Sequence, residues 1–175
     1  MAMSASQWAN KATSATRRAL CTLLVGLVVS MYGLYIEIAH EFDFEYTAMC
    51  DVSPLVSCTR VLTSKYGMGF GIIGPLLGEE SALNQRNAFY GVIGYTLLAL
   101  IQLSHTQCSA SISYFAGIMM NIMSLYLITV LIRLRAVCLV CVTIYTVNAL
   151  FLYFTIKRRQ ALAEVANINN NKKRK

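Results

Sequence analysis

Charged residues are what this chain has least of: 13% of its 175 positions, against 57% hydrophobic. So few polar groups cannot cover a soluble globule of this size, and those present are confined to a few segments. The composition therefore excludes a soluble protein and predicts an integral membrane one. Long stretches lack Asp, Glu, Lys and Arg altogether, so an ion-coupled transport pathway has no candidate group inside the membrane. A convincing small-residue cleavage site is also missing at residues 37–42, after the first apolar run, which reads as an uncleaved helix and not a signal peptide. The basic surplus, a formal +7, sits at the two ends of the chain. Membrane topology and contact with anionic lipid explain that placement, and no nucleic-acid partner is expected.

What is present is a set of uncharged runs, read at about 20 apolar residues per crossing. The spacing predicts spans at about 19–37, 87–104, 112–132 and 136–156. Residues 87–132 form one uncharged run too long for a single crossing, and the polar patch containing His105, Thr106 and Gln107 divides it in two. Residues 38–86 form a long polar loop with a short Gly-rich apolar piece at 68–77, suited to a re-entrant or interfacial segment that caps a greasy site. The expected fold is all-α: a single domain over 1–175, an integral membrane four-helix bundle with a long loop between its first and second helices.

An even number of spans puts both termini on one side. That side holds ten basic residues and Glu164, a net +9, whereas the other holds five basic and seven acidic residues, a net −2. The positive-inside bias then places the termini and the tail at 157–175 in the cytosol and the loop in the lumen, with Arg133 and Arg135 running against the trend. Cys50, Cys58, Cys138 and Cys141 all fall on the non-cytosolic, oxidising side, while Cys21 and Cys108 fall near the cytosolic face and read as small apolar packing residues. Lys172 and Lys173 near the C-terminus also resemble a dilysine retrieval signal, which points to the membrane of the endoplasmic reticulum.

The fourth span carries the densest chemistry. Cys138, Cys141, Tyr145 and Asn148 follow spacings of 3, 4 and 3, which at 100° per residue places them within a stripe roughly 80° wide. A Cys-x-x-Cys pair can close and reopen as a disulfide, and the positive end of a helix favours thiolate over thiol. Tyr145, about 6 Å deeper than Cys141, is placed to donate a hydrogen bond to a bound oxygen. Packing is the bland alternative, and it explains neither the spacing nor the second pair on the same side. A four-thiolate zinc site is disfavoured because seven residues separate Cys50 from Cys58, where a zinc knuckle has two to four, so no metal is expected. His40 and His105 are assigned no chemical role. Closing Cys50 to Cys58 would constrain the unfolded chain by about 2.6 kcal/mol, a modest staple. Alternatively, the loop pair relays electrons to Cys138 by thiol–disulfide exchange.

The loop from Cys50 to Val61, the Asn84, Gln85, Arg86, Asn87 run opening the second span, and the stretch from Cys138 to Asn148 together resemble the vitamin K epoxide reductase family over nearly the whole chain. The length and the Lys-rich tail look most like a branch of that family found in vertebrates. The resemblance implies reduction of vitamin K 2,3-epoxide to the quinone and of the quinone to the hydroquinone, each step consuming one dithiol. It implies Cys141 as the attacking thiolate, Cys138 as the resolving thiol, Cys58 as the thiol that reduces their disulfide, and Cys50 as the end of the loop pair that takes electrons from a lumenal thioredoxin-like donor. Asn87 and Tyr145 match positions that hydrogen-bond the quinone oxygens and hold 4-hydroxycoumarin inhibitors, while Leu62, Tyr66 and Tyr90 match the pocket lining. Redox-active disulfides replace any permanent cofactor. Two other functions are compatible with the sequence: a quinone-linked thiol oxidase that forms disulfides in client proteins, and a non-enzymatic membrane scaffold.

Overall fold

In the computed structural model, which describes residues 4–104 and 106–174, every regular element is helical, and among the described residues there is no β-strand. The elements are α1 (Ala5–Phe42), α2 (Cys58–Leu62), a 3-10 turn (Gly69–Gly71), α3 (Ile73–Leu77), α4 (Asn87–Leu103), α5 (Gln107–Leu134) and α6 (Leu139–Lys173). Neither proline falls in α1, α4, α5 or α6, so nothing interrupts their backbone hydrogen bonds. A capping box starts α1: the Ser4 hydroxyl accepts from the Gln7 N–H at 3.3 Å, and Gln7 Oε1 accepts from the Ser4 N–H at 2.9 Å.

Helices α1, α5 and α6 are long and apolar enough to cross a membrane, and α4, at 17 residues, is apolar but shorter. Large apolar side chains stay exposed on their outer faces, including Leu24, Val28 and Met31 on α1, Leu100 on α4 and Phe115 and Leu125 on α5. Such a surface belongs in lipid, where a helix satisfies its own backbone. The helices overrun the runs expected from charge. Helix α1 begins at Ala5 and α6 continues to Lys173, through the segment expected as a tail. Charge limits what lipid can cover, whereas Ala, Arg, Gln, Leu and Glu carry helical backbone past that limit. The long loop is not featureless either, since it contains α2, the 3-10 turn and α3. His105 lies outside the described residues.

Helix α1 packs along both α4 and α6, and α5 packs along α6. Small residues allow the α1–α4 approach. A methyl group added at Gly26 would stand 2.7 Å from Cε1 and Cζ of Tyr95, and one added at Gly91 would stand 2.5 Å from Ser30 Oγ. Polar contacts then lock the arrangement. The Tyr95 hydroxyl donates to Asn148 Oδ1 at 2.6 Å, and Asn148 Nδ2 donates to Ser124 Oγ at 2.9 Å, joining α4, α6 and α5. At the opposite end from the cysteines, the fully buried Arg158 donates to Gln102 Oε1, to the Ser104 carbonyl and to Ser109 Oγ, tying α6 to the α4–α5 turn.

Gly26→Ala is therefore expected to displace the Tyr95 ring, strain its bond to Asn148 and destabilise the protein by about 1–3 kcal/mol. Gly94→Ala, with no atom within 4 Å of the added methyl, serves as the control. Thermal unfolding of the purified proteins in detergent checks this, with a clear downward shift for the first and little change for the second.

Candidate active site

The two cysteine pairs meet where the loop touches the start of α6. Cys50 and Cys58 are joined by a disulfide with Cα atoms 5.9 Å apart. Just before Cys58 the loop runs alongside the residue preceding Cys138: the Val137 N–H donates to the Leu55 carbonyl at 2.7 Å, and the Ser57 N–H donates to the Val137 carbonyl at 3.0 Å. These two bonds fix the loop against α6. Ser57 then caps α2, its hydroxyl accepting from the Arg60 N–H at 3.1 Å, so Cys58 becomes the first residue of that helix. Cys58 and Cys138 are both fully buried in one apolar cluster with Ile36, Ala48, Val61 and Val140, against which Cys50 and Cys141 pack.

Cys138 is the N-cap of α6, and its sulfur accepts from the Cys141 N–H at 3.1 Å. That contact strengthens as negative charge builds on the sulfur. Both residues are free thiols. Cys50, Asp51 and Cys58 bring their ligand atoms within 4.8 Å of one another, as in a metal site, but the two sulfurs are bonded to each other and neither is a thiolate.

Cys141 opens onto a cavity of about 580 Å3 between the helices, roofed by the 66–70 segment and lined almost entirely by apolar groups. Asn87, Tyr145, Leu62, Tyr66 and Tyr90 all stand on its wall, and Asn148 lines it deeper in. Tyr145 follows Cys141 by one turn of α6 on the same wall. Cys138 lies behind the wall, on the side of the loop disulfide. The helical stripe read from the sequence thus splits in use: Cys141, Tyr145 and Asn148 face the cavity, and Cys138 faces the loop. His40 packs edge-on against Phe44, 5.8 Å between ring centres.

The sequence profile of the "Vitamin K epoxide reductase family" matches residues 18–156, a segment that contains both cysteine pairs and the whole cavity. The chain belongs to this family. It is 37% identical over 133 residues to the vitamin K epoxide reductase complex subunit 1 of Mus musculus, covering 75% of this chain and 81% of that protein. Against the protein of the same name from Rattus norvegicus it is 37% identical over 134 residues, covering 76% and 82%. Membership makes the chain a membrane thiol–disulfide oxidoreductase.

Within this member of the family, Asn87 has a task that its sequence position does not reveal. Its Oδ1 accepts from the Phe70 N–H at 2.7 Å and its Nδ2 donates to the Tyr66 carbonyl at 2.7 Å, leaving one N–H of the amide for the cavity. The clamp holds an unusual backbone: Gly69, Phe70 and Gly71 all have positive φ, 52°, 57° and 69°. For Phe70 that region is costly, and the amide bond together with stacking on Tyr90, 5.5 Å between ring centres, holds it there. The Phe70 ring thereby joins the cavity wall. Its glycine neighbours were the only sequence signal for this turn.

Asp51 organises the loop. Its carboxylate accepts from the Ala48 N–H at 3.0 Å and the Thr59 N–H at 3.1 Å. Burial pushes this carboxyl up, but hydrogen bonds from Thr59, Ser57 and Ala48 outweigh it and hold the group below the ordinary carboxylate range.

A depressed folded-state value means that the contribution of Asp51 is complete above the ordinary carboxylate range and is lost as pH falls through its own lower value. Hydrogen exchange across residues 46–60 is expected to quicken on acidification in the wild type, whereas in Asp51→Asn it is already fast at neutral pH and changes little. Asn87→Ala removes two bonds to the roof and is expected to cost about 1–3 kcal/mol, read as faster proteolysis within residues 66–71.

Proposed function

We propose that this chain reduces vitamin K 2,3-epoxide to the quinone and the quinone to the hydroquinone, drawing electrons from Cys138 and Cys141. The observation that carries the reading is the convergence of Cys141, Asn87 and Tyr145 on one apolar cavity of about 580 Å3. That volume lies within the range of small-molecule sites and suits a fused ring system with a hydrocarbon tail. The names of the two rodent relatives, which share 37% of their aligned residues with this chain, support the same substrate.

In the proposed cycle the Cys141 thiolate attacks an electron-poor carbon of the quinone or epoxide, forming a C–S bond. The Tyr145 hydroxyl and the remaining Asn87 N–H face the oxygens that gain negative charge, where fixed donors lower the barrier most. Cys138 then attacks Cys141, closing their disulfide and releasing the reduced ring. Cys58 reopens that disulfide by exchange, and Cys50 recovers electrons from a lumenal thioredoxin-like thiol donor. The adjacency of Cys58 and Cys138 in one buried cluster supports such a relay. No permanent cofactor is needed, since the dithiols carry the electrons.

The four apolar helices suit a bundle in which α4 is the remaining crossing. We place it in the endoplasmic reticulum membrane, with both termini cytosolic and the loop over residues 38–86 lumenal. The 68–77 segment acts as the lid. The cavity also suits 4-hydroxycoumarin inhibitors, whose oxygens mimic those of the quinone against Asn87 and Tyr145.

Turnover of vitamin K epoxide by the purified protein in lipid, driven by a small dithiol, tests the assignment. Cys141→Ala is expected to lose at least about 10³-fold in rate, because no other thiol reaches the cavity. Cys50→Ala is expected to keep most of the wild-type rate with the small dithiol and to lose it with a thioredoxin-like donor. Absence of turnover in folded wild-type protein would refute the substrate assignment.

A further inference from the structure

The loop pair has a third ligating group beside it. The Cys50 and Cys58 sulfurs and a carboxylate oxygen of Asp51 all lie within 4.8 Å of one another. A tetrahedral Zn²⁺ with bonds of about 2.3 Å to sulfur and about 2.1 Å to oxygen holds its ligand atoms about 3.6–3.8 Å apart, so the cluster already has nearly the size of a zinc site. The seven-residue spacing that disfavours a zinc knuckle takes no account of Asp51, which the folded loop brings to the two sulfurs. In the disulfide form the sulfurs hold each other and are not available to an ion. Reduction frees both as donors. With their Cα atoms 5.9 Å apart, rotation about the Cα–Cβ bonds then opens room for an ion between them without moving the backbone.

The shape of the cluster does not depend on the S–S bond alone. Inside the ring, the Val52 N–H donates to the Val56 carbonyl at 3.0 Å and the Val56 N–H donates to the Ser53 carbonyl at 2.9 Å. From outside, the Ser57 N–H donates to the Val137 carbonyl at 3.0 Å, and the Ser57 hydroxyl caps α2, the helix that Cys58 begins. Asp51 is oriented from behind, as metal-binding carboxylates are. Its Oδ2 accepts from the Ala48 N–H at 3.0 Å and its Oδ1 from the Thr59 N–H at 3.1 Å. These bonds use two of about four lone-pair sites and leave the rest for an ion. Cys58 is fully buried, whereas Cys50 and Asp51 are half-buried and flanked by the exposed Met49 and Val52, so an ion enters from the Cys50 side. Two thiolates and one carboxylate suit Zn²⁺ and not the hard cations Ca²⁺ and Mg²⁺.

We propose that the reduced loop binds one Zn²⁺ through Cys50, Asp51 and Cys58, and that the zinc-bound chain is withdrawn from electron relay. The site is gated by redox state. A dithiol or a phosphine supplies two electrons to the Cys50–Cys58 disulfide, the S–S bond breaks and two thiols form, while the dithiol becomes a disulfide or the phosphine a phosphine oxide with oxygen from water. Zn²⁺ then displaces the two thiol protons to solvent and forms two Zn–S bonds. The Asp51 carboxylate supplies a third bond and a water molecule the fourth. Zinc changes no oxidation state, so the electrons stay on the sulfurs. A Cys58 thiolate held by the ion is not free to attack the Cys138–Cys141 disulfide, and electrons stop at the loop. That consequence rests on the relay proposed above, whereas the binding itself requires no quinone.

The test is zinc binding by the full chain in detergent, measured in competition with a chromophoric chelator, with Cys138→Ser and Cys141→Ser in place so that the loop holds the one remaining dithiol. After reduction by a phosphine, removed before zinc is added, one ion per chain is expected to bind. The same protein with its loop disulfide intact is expected to bind at least about 100-fold more weakly, because a disulfide offers no thiolate. Asp51→Asn in this background is expected to weaken binding by at least about 10-fold. Asp51 also orders the loop, so Ser57→Ala is the control: it removes the α2 cap and no ligand, and its zinc affinity is expected to stay near that of its parent. Absence of binding by the reduced chain overturns the inference, as does equal binding by the reduced and disulfide forms. An equal loss of affinity in Asp51→Asn and Ser57→Ala removes Asp51 from the ligand set and overturns the three-ligand site. The assay contains no vitamin K: zinc binding by a chain that turns over no vitamin K substrate leaves the site standing and removes the substrate assignment.

Discussion

Two backbone hydrogen bonds, from Val137 to Leu55 and from Ser57 to Val137, hold the loop against the membrane helices, and the site depends on them. They are short-range and non-specific in side chain, so any register was open to the loop in principle. This register is selected because it buries Cys58, Ala48 and Val61 against Ile36, Cys138 and Val140 in one cluster. Sequence distance makes the contact expensive in entropy, since the chain between α1 and α6 must be ordered before it forms. The Asp51 hydrogen bonds, the Ser57 cap on α2 and the small disulfide ring each preorganise the loop locally. They lower the cost of that long-range pairing. The disulfide is therefore part of the docking surface, since it closes the small ring that ends where Cys58 packs against Cys138.

The same economy governs Asn87. Its carboxamide serves the Phe70 N–H, the Tyr66 carbonyl and the cavity at once, so the residue that lines the cavity also holds the roof over it. A ligand that takes the remaining N–H stiffens the Asn87 side chain and, through it, the 66–70 turn. The positive φ of Phe70 is the local cost of aiming its ring into the cavity, and the stacked Tyr90 meets part of it.

Much of this was legible in the chain. The uncharged runs overlap the four long helices because lipid tolerates few charges, and the two cysteine pairs drew attention to the place where the loop meets α6 because their spacing matches a small loop and a helical turn. What was not legible depended on where charged side chains point. Glu37 ends the first uncharged run and Arg158 lies just past the last, yet the helices continue past both and turn them inward. A charge beside an apolar run signals either the membrane surface or a buried partner, and only the helix phase relative to its neighbours decides between them. Asn87 was legible as a polar group at a helix start, but its two bonds to a segment 17 and 21 residues away were not.

The interior polar bonds solve a difficulty that the membrane sets. Apolar faces gain little from contact with one another when lipid is the alternative, so helix order and depth must be specified by close packing and by hydrogen bonds. Here the work is divided by level. Gly26, Ser30 and Gly33 let α1 approach α4 and α6 closely, the Tyr95–Asn148–Ser124 chain ties α4 to α6 and α5 at mid-depth, and Arg158 secures the end remote from the cysteines. Between α4 and α5 no comparable density of contact exists, and the cavity occupies that side of the bundle. The bundle is thus packed most closely along α1 and α6, the second of which carries Cys138 and Cys141, and most loosely between α4 and α5. Tyr95, Asn148 and Ser124 line that cavity themselves, so the bonds that order the helices also set its depth.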